Sequence, residues 1–154
     1  AIQDAYYKTL NRALSYLYYG NKTAKQMRDY LLRKNFEGSI IDRVIEELEQ
    51  RKLIDDVAIA KAYVDQFRFE GRYGNNMIRQ KLVQKGISTK VINSLDLLDS
   101  NEERAALKSL AEKKWPTIKG EDNFQKCGKL ARFLYSRGFS SEEVWAVVED
   151  YRHE

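Results

Sequence analysis

The chain of 154 residues is 43% hydrophobic and 32% charged, which excludes disorder throughout and leaves enough apolar side chains for one core or several small ones. Eight glycines and one proline leave little punctuation, and the abundance of Leu, Lys, Glu and Arg predicts an all-α protein. The net charge of +4 hints at an anionic partner without requiring one.

Helices are predicted near residues 4–19, 23–34, 39–51, 56–69, 75–85, 88–98, 101–115, 123–137 and 140–152. The first carries Leu10, Leu14 and Leu17 in its stripe and crowds together Tyr6, Tyr7, Tyr16, Tyr18 and Tyr19, most of which are expected to pack. The second opens on Thr23 with Gln26 three residues on, a capping-box spacing, and aligns Met27 with Leu31. Lys34-Asn35-Phe36 breaks the pattern with a cation, a residue tolerant of the left-handed conformation and a large apolar residue. Ile41 and Val44 begin the next stripe. Asp55 or Asp56 can cap the fourth helix, which carries Ala60, Val64 and Phe67. After the loop Gly71-Arg72-Tyr73-Gly74 come Ile78 and Leu82, the break Lys85-Gly86-Ile87, then Ile92 and Leu95. Ser100 with Glu103 is a further capping spacing ahead of Leu107, Leu110 and Ala111. The connection from Pro116 to Asp122 is longer. It leads to Leu130 and Leu134, the break Arg137-Gly138-Phe139, and a last helix with Ser140 and Glu143 at its start and Val144 and Val147 in its stripe.

The three breaks lie 51 and 52 residues apart. Counting nine and five residues back, or five and eight forward, from Phe36, Ile87 and Phe139 meets an apolar residue every time. Such spacings make two amphipathic helices whose stripes face each other across a tight turn. The expected architecture is three tandem three-helix repeats, 1–54, 55–100 and 101–154. Units of ~50 residues are marginal alone and lean on their neighbours, so an elongated, curved helical body is expected.

Charge is polarised within the repeats. Residues 22–34 hold five basic side chains against one acidic, and 72–85 and 126–137 hold four against none. Residues 37–49 reverse this with one against five, and 140–151 with none against four. Helix dipoles account for cations in last turns and acids in first turns. They do not account for Lys25, Arg28, Arg72, Arg79, Lys81, Lys126, Lys129 and Arg132, which become the candidate partner-binding residues. For Arg28 and Arg79, four residues before Leu32 and Val83, the competing role is an aliphatic stem covering core. Tyr73 joins the candidates because, between two glycines in a basic loop, it has less packing to do.

Catalytic chemistry finds no constellation. Asp55-Asp56 needs convergent partners for acid–base work and reads better as a helix cap. The Gly71-Arg72-Tyr73-Gly74 loop lacks the strand and Lys-Ser/Thr ending of a phosphate-binding loop, and no histidine stands by to activate a serine. With one cysteine, Cys127, and one histidine, His153, neither an internal disulfide nor a zinc site is expected, and no cofactor is called for. No apolar run approaches the ~20 residues that span a bilayer, and the start carries no leader pattern. A cytoplasmic, non-enzymatic monomer without membrane contact is expected.

The middle of the chain runs through Leu53-Ile54-Asp55-Asp56, Ala60-Lys61-Ala62-Tyr63-Val64, Tyr73-Gly74 and the stretch from Ile78 through Arg79, Lys81, Leu82 and Lys85 to Gly86-Ile87. In these segments it resembles the RecX family of bacterial recombination regulators. Segments 24–48 and 130–148 look like that family's first and third units. Asn75-Asn76-Met77 departs from the pattern where relatives often carry basic residues, and Ile59 departs where phenylalanine is usual. The resemblance implies three tandem three-helix repeats that need no cofactor. It also implies a partner, the RecA recombinase filament, with single-stranded DNA met directly or through the filament. Such proteins lie in the filament groove and suppress its ATPase and strand exchange. A general DNA-binding helical module is the alternative, since two helices joined by a tight turn also resemble a helix-turn-helix.

Overall fold

The computed structural model describes residues 1–153, and all regular structure among them is helical. The α-helices are α1 (Ile2–Tyr18), α2 (Ala24–Arg33), α3 (Gly38–Gln50), α4 (Asp56–Glu70), α5 (Asn75–Gln84), α6 (Thr89–Ser94), α7 (Ser100–Lys114), α8 (Asn123–Ser136) and α9 (Ser141–Val148). Short 3₁₀ turns follow α7 at Trp115–Thr117 and α9 at Glu149–Tyr151. The residues group into two compact bodies, one formed by Ala1–Lys61 with Leu82–Asn93, the other by Ala62–Lys81 with the chain from Ser94 onward.

The apolar stripes that defined the repeat are the core. Met27, Leu31, Ile41 and Val44 are fully buried in the first repeat, Ile78 and Leu82 in the second, and Leu130, Leu134 and Val144 in the third. Each break takes the left-handed conformation, with φ of 66° at Asn35, 91° at Gly86 and 93° at Gly138. The turn also satisfies carbonyls that a helix end leaves open: Phe36 N–H donates to Leu31 O at 3.1 Å and Ile87 N–H to Leu82 O at 3.0 Å.

The joint between repeats is built twice in the same way. In the first body Gly86 rests on the side chain of Lys25, Thr23 Oγ1 donates to Lys85 O at 3.4 Å, and Asp56 Oδ1 accepts the Ala24 N–H at 2.9 Å. In the second body Gly74 N–H donates to Arg137 O at 2.8 Å, Asn76 N–H to Gly138 O at 3.2 Å, and Glu103 Oε2 accepts the Asn75 N–H at 2.7 Å. A Cβ on Gly138 would stand 2.3 Å from Met77 N, so glycine serves the close approach of two backbones as well as its own φ. An acidic side chain from the following repeat thus supplies part of the cap of α2 and of α5.

Several expectations need correction. On α1 the buried residues are Thr9 and Ala13, while Leu10 and Leu17 are half-buried and Leu14 is exposed. Thr9 tolerates burial because its hydroxyl donates to Ala5 O at 2.7 Å within the helix. The capping box at α7 is Asp99 with Glu102, not Ser100 with Glu103, which leaves Glu103 for Asn75. Helix α6 stops at Ser94 rather than 98, because the following backbone is held by side chains. Asn75 brackets Leu98 through both its amide atoms (2.9 and 3.0 Å), and Arg68 reaches Leu97 O at 3.3 Å.

Candidate partner interface

The candidate cations fall into two sets, Lys25 and Arg28 in the first body and the others in the second. Lys25 is exposed and pairs with Asp29 one turn on at 2.9 Å, while Arg28 is paired with Asp42 across on α3. Exposed pairs of this kind contribute little to stability, but they neutralise charge that a phosphate would otherwise meet. Leu32 and Val83 are 48% and 55% exposed, so the stems of Arg28 and Arg79 cover no core there. Leu32 and Val83 each lie beyond the edge of the buried stripe.

In the second body Tyr73 is packed, contrary to its expected looseness. Its ring meets Phe67 edge-on at 5.8 Å, and Lys81 Nζ lies 4.7 Å from its centroid. The flanking glycines let the loop fold the ring back onto α4. Lys126 Nζ stands 5.7 Å from the Trp115 ring, and Lys129 Nζ donates to Lys119 O. These cations already have contacts within the body, to ring faces and a carbonyl. Arg72, Arg79 and Arg132 are exposed, and no ion pair engages them among the described residues. Arg79 Nη1 is held by Asn76 Oδ1 at 3.2 Å. Sequence reading passed over Arg137, whose guanidinium lies 4.9 Å from the Phe133 ring and whose Nε is buried without a hydrogen-bond partner.

Both carboxylates of the Asp55-Asp56 pair are spent on helix ends: Asp55 accepts the Ala58 N–H at 3.1 Å and Asp56 the Ala24 N–H at 2.9 Å. Glu103 has its carboxyl pushed above the usual range, by burial foremost and also by the nearby Glu143, against the Asn75 N–H and Arg79, which pull it down. Burial likewise raises the Cys127 thiol, which suits an inert core residue rather than a nucleophile. Among the described residues no group of three or more His, Cys, Asp or Glu is placed to hold a metal, and no helix is long and apolar enough to cross a membrane.

Comparison with known proteins bears on all three repeats. Models of the first, second and third three-helix domains of RecX match residues 10–48, 55–94 and 101–148, in that order. The chain belongs to the RecX family. A regulatory protein RecX of Clostridium tetani (strain Massachusetts / E88) is 38% identical over 151 residues, covering 96% of this chain and 69% of the relative. The crystal structure of RecX from Lactobacillus salivarius superposes with a TM-score of 0.85 at 25% identity, over 99% of both chains. A second RecX crystal structure gives 0.87 at 28% identity, over 96% of this chain and 74% of the other. The RecX relatives therefore share the tandem helical repeats described above, and their name is that of a regulator.

Proposed function

We propose that this RecX-type regulatory protein acts by binding and not by catalysis. It docks on the RecA recombinase filament assembled on single-stranded DNA and inhibits ATP hydrolysis, strand exchange and filament growth. The observation that carries the reading is the match of three RecX domains in order along the chain. The repeats 1–54, 55–100 and 101–154 act together as a monomer in the cytoplasm, with Arg72, Arg79 and Arg132 the cations open to acidic protein or phosphate. Lys25, Arg28, Tyr73, Lys81, Lys126 and Lys129 contribute at the edge of that surface, where each already has a contact within its own body. A body lying on the filament hinders subunit exchange and competes with a second DNA strand. DNA is met chiefly through the filament, because Asp29 and Asp42 beside Lys25 and Arg28 disfavour a phosphate backbone there.

The test adds the protein to preformed RecA filaments on single-stranded DNA and follows ATP hydrolysis and filament length. Hydrolysis is expected to fall, and growth to stop, as the protein saturates the filament. Unchanged hydrolysis and length at saturation would refute the reading. If the chain were instead a general DNA-binding module, it would bind bare oligonucleotide with an affinity falling on a log-log salt slope of about −0.7 per phosphate contact.

A further inference from the structure

Two cations of the third repeat share one aromatic ring. Lys114 closes α7, and Phe133 and Arg137 lie one turn apart at the end of α8. Lys114 Nζ stands 4.8 Å from the Phe133 centroid and the Arg137 guanidinium carbon 4.9 Å, so the two charges lie within about 10 Å of one another. No carboxylate pairs with either among the described residues. A ring face holds a cation in place without cancelling its charge, whereas Asp29 and Asp42 neutralise Lys25 and Arg28.

Arg137 is the less satisfied of the two. None of its guanidinium donors meets an acceptor among the described residues, and its Nε is buried in that state. Buried donors in folded proteins are almost always satisfied, so the exception calls for a cause. Only Nε is buried without a partner, which leaves the Nη edge open to an oxyanion. The helix dipole favours a cation at the end of α8, but it requires neither an arginine nor a second cation on the same ring. The first repeat carries the simpler form. Six and two residues before Phe36, as Phe133 and Arg137 are before Phe139, stand Tyr30 and Lys34, with Lys34 Nζ 5.8 Å from the ring. A lysine suffices there. The planar fork of the third repeat adds a geometry matched to carboxylate or phosphate.

We infer that Lys114 and Arg137, held about Phe133, form a docking site for an acidic segment of a partner protein. A guanidinium accepts either oxyanion, and the surroundings favour carboxylates on a polypeptide. Single strands bind by stacking bases on open rings along a row of cations. Here Phe133 already carries two cations, and Trp115 carries Lys126 at 5.7 Å and Tyr151 at 5.0 Å. Towards the start of α8 the basic row ends at Glu121 and Asp122, and Asp122 caps the helix by accepting the Gln125 N–H at 2.9 Å. A phosphate backbone, charged at every unit, runs into those acids. A protein segment places its acids opposite the two cations and neutral residues elsewhere. The inference goes beyond the filament reading and is measured without recombinase, so either falls without the other.

Fluorescence anisotropy of a labelled Asp- and Glu-rich peptide, titrated with the full chain at low salt, tests the site, with labelled oligothymidylate of equal net charge as the second probe. Arg137→Gln and Lys114→Gln are each expected to weaken peptide binding about tenfold. Lys108→Gln removes the same charge from the side of α7 that faces α9 and is expected to weaken it by about twofold at most. Arg137→Gln keeps the backbone carbonyl that accepts the Gly74 N–H, so the joint stays in place, and circular dichroism melts of each variant beside the parent check the fold. Equal losses from all three substitutions would mean that net charge alone attracts the peptide, and the site falls. A peptide that does not bind the parent at low salt overturns it as well. If Arg137→Gln and Lys114→Gln weaken oligothymidylate as much as the peptide, the site takes any polyanion and the protein-segment inference is overturned.

Discussion

Gly138 carries three demands at one Cα. Its φ of 93° lies where side-chain-bearing residues rarely go. Its N–H donates to Tyr135 O at 3.0 Å to end α8. Its missing Cβ admits the backbone of Met77, from which a methyl would stand 2.3 Å away. Gly128, ten residues earlier, sits inside α8 with nothing near it. The two glycines therefore respond in opposite directions to the same change. Gly138→Ala is expected to cost about 3 kcal/mol, since left-handed strain and the clash with backbone act together. Gly128→Ala is expected to gain up to about 1 kcal/mol by removing glycine from a helix interior. Urea unfolding of the two variants beside the parent measures both. Asn35 holds the equivalent turn of the first repeat at φ 66° and shows that the conformation alone does not require glycine; the close approach does.

At the scale of elements, caps come from the next repeat as well as from the helix's own loop. The first N–H of α5 is accepted by Glu103 of α7. Two effects compete at that carboxylate: a helix N-terminus favours its charge, and burial beside Glu143 opposes it. The carboxyl is raised, so burial wins. A raised carboxyl means the folded protein holds the proton more tightly than the unfolded chain. Glu103 therefore penalises the fold above its folded pKa, and the penalty is relieved as pH falls through that value. Glu103→Gln keeps an oxygen for the Asn75 N–H and removes the charge. It is expected to melt at or above the parent at neutral pH, with the gap closing in acid, where the parent's carboxyl is also neutral. Thermal melts across pH measure this, and a variant less stable than the parent at neutral pH, by a gap that closes in acid, would mean that the helix dipole prevails. None of this joint was legible in the sequence, because Glu103 stood at a plausible capping spacing from Ser100 and its true partner is 28 residues away. What was legible was local and periodic: the buried stripes, the left-handed breaks and the Thr23–Gln26 box. The same limit held at the candidate site. Charge density could be counted from composition, but whether Arg28 meets Asp42, or Tyr73 folds onto Phe67, depends on contacts between elements that no spacing encodes.

At the scale of the whole molecule, sequence repeats and compact bodies do not coincide. The first RecX domain matches residues 10–48 and the second 55–94, yet the first body includes residues of the second match, Leu82–Asn93 among them. The reason lies in the joint. Cut at residue 54, the chain loses Asp56 from the Ala24 N–H at the start of α2, Lys85 O from the Thr23 hydroxyl, and the glycine turn that rests on Lys25. A cap alone is worth about 1 kcal/mol, and a chain of this length has little stability to spare. The fragment 1–54 is therefore expected to hold partial helicity and to melt broadly, without the sigmoidal transition of the parent. Extending it to residue 100 returns the acidic cap and the Gly86 turn, and a cooperative transition of the first core should reappear. Circular dichroism melts of the two fragments beside the full chain decide the matter. A sharp transition of 1–54 at the parent's midpoint would mean that each repeat folds on its own and that the joints only align them. The opposite result makes the joint part of the folding unit, and explains why surfaces can diverge between repeats, as the paired Arg28 and Asp42 of the first and the exposed Phe124 and Trp145 of the third do, while the turns that dock on a neighbour keep one geometry.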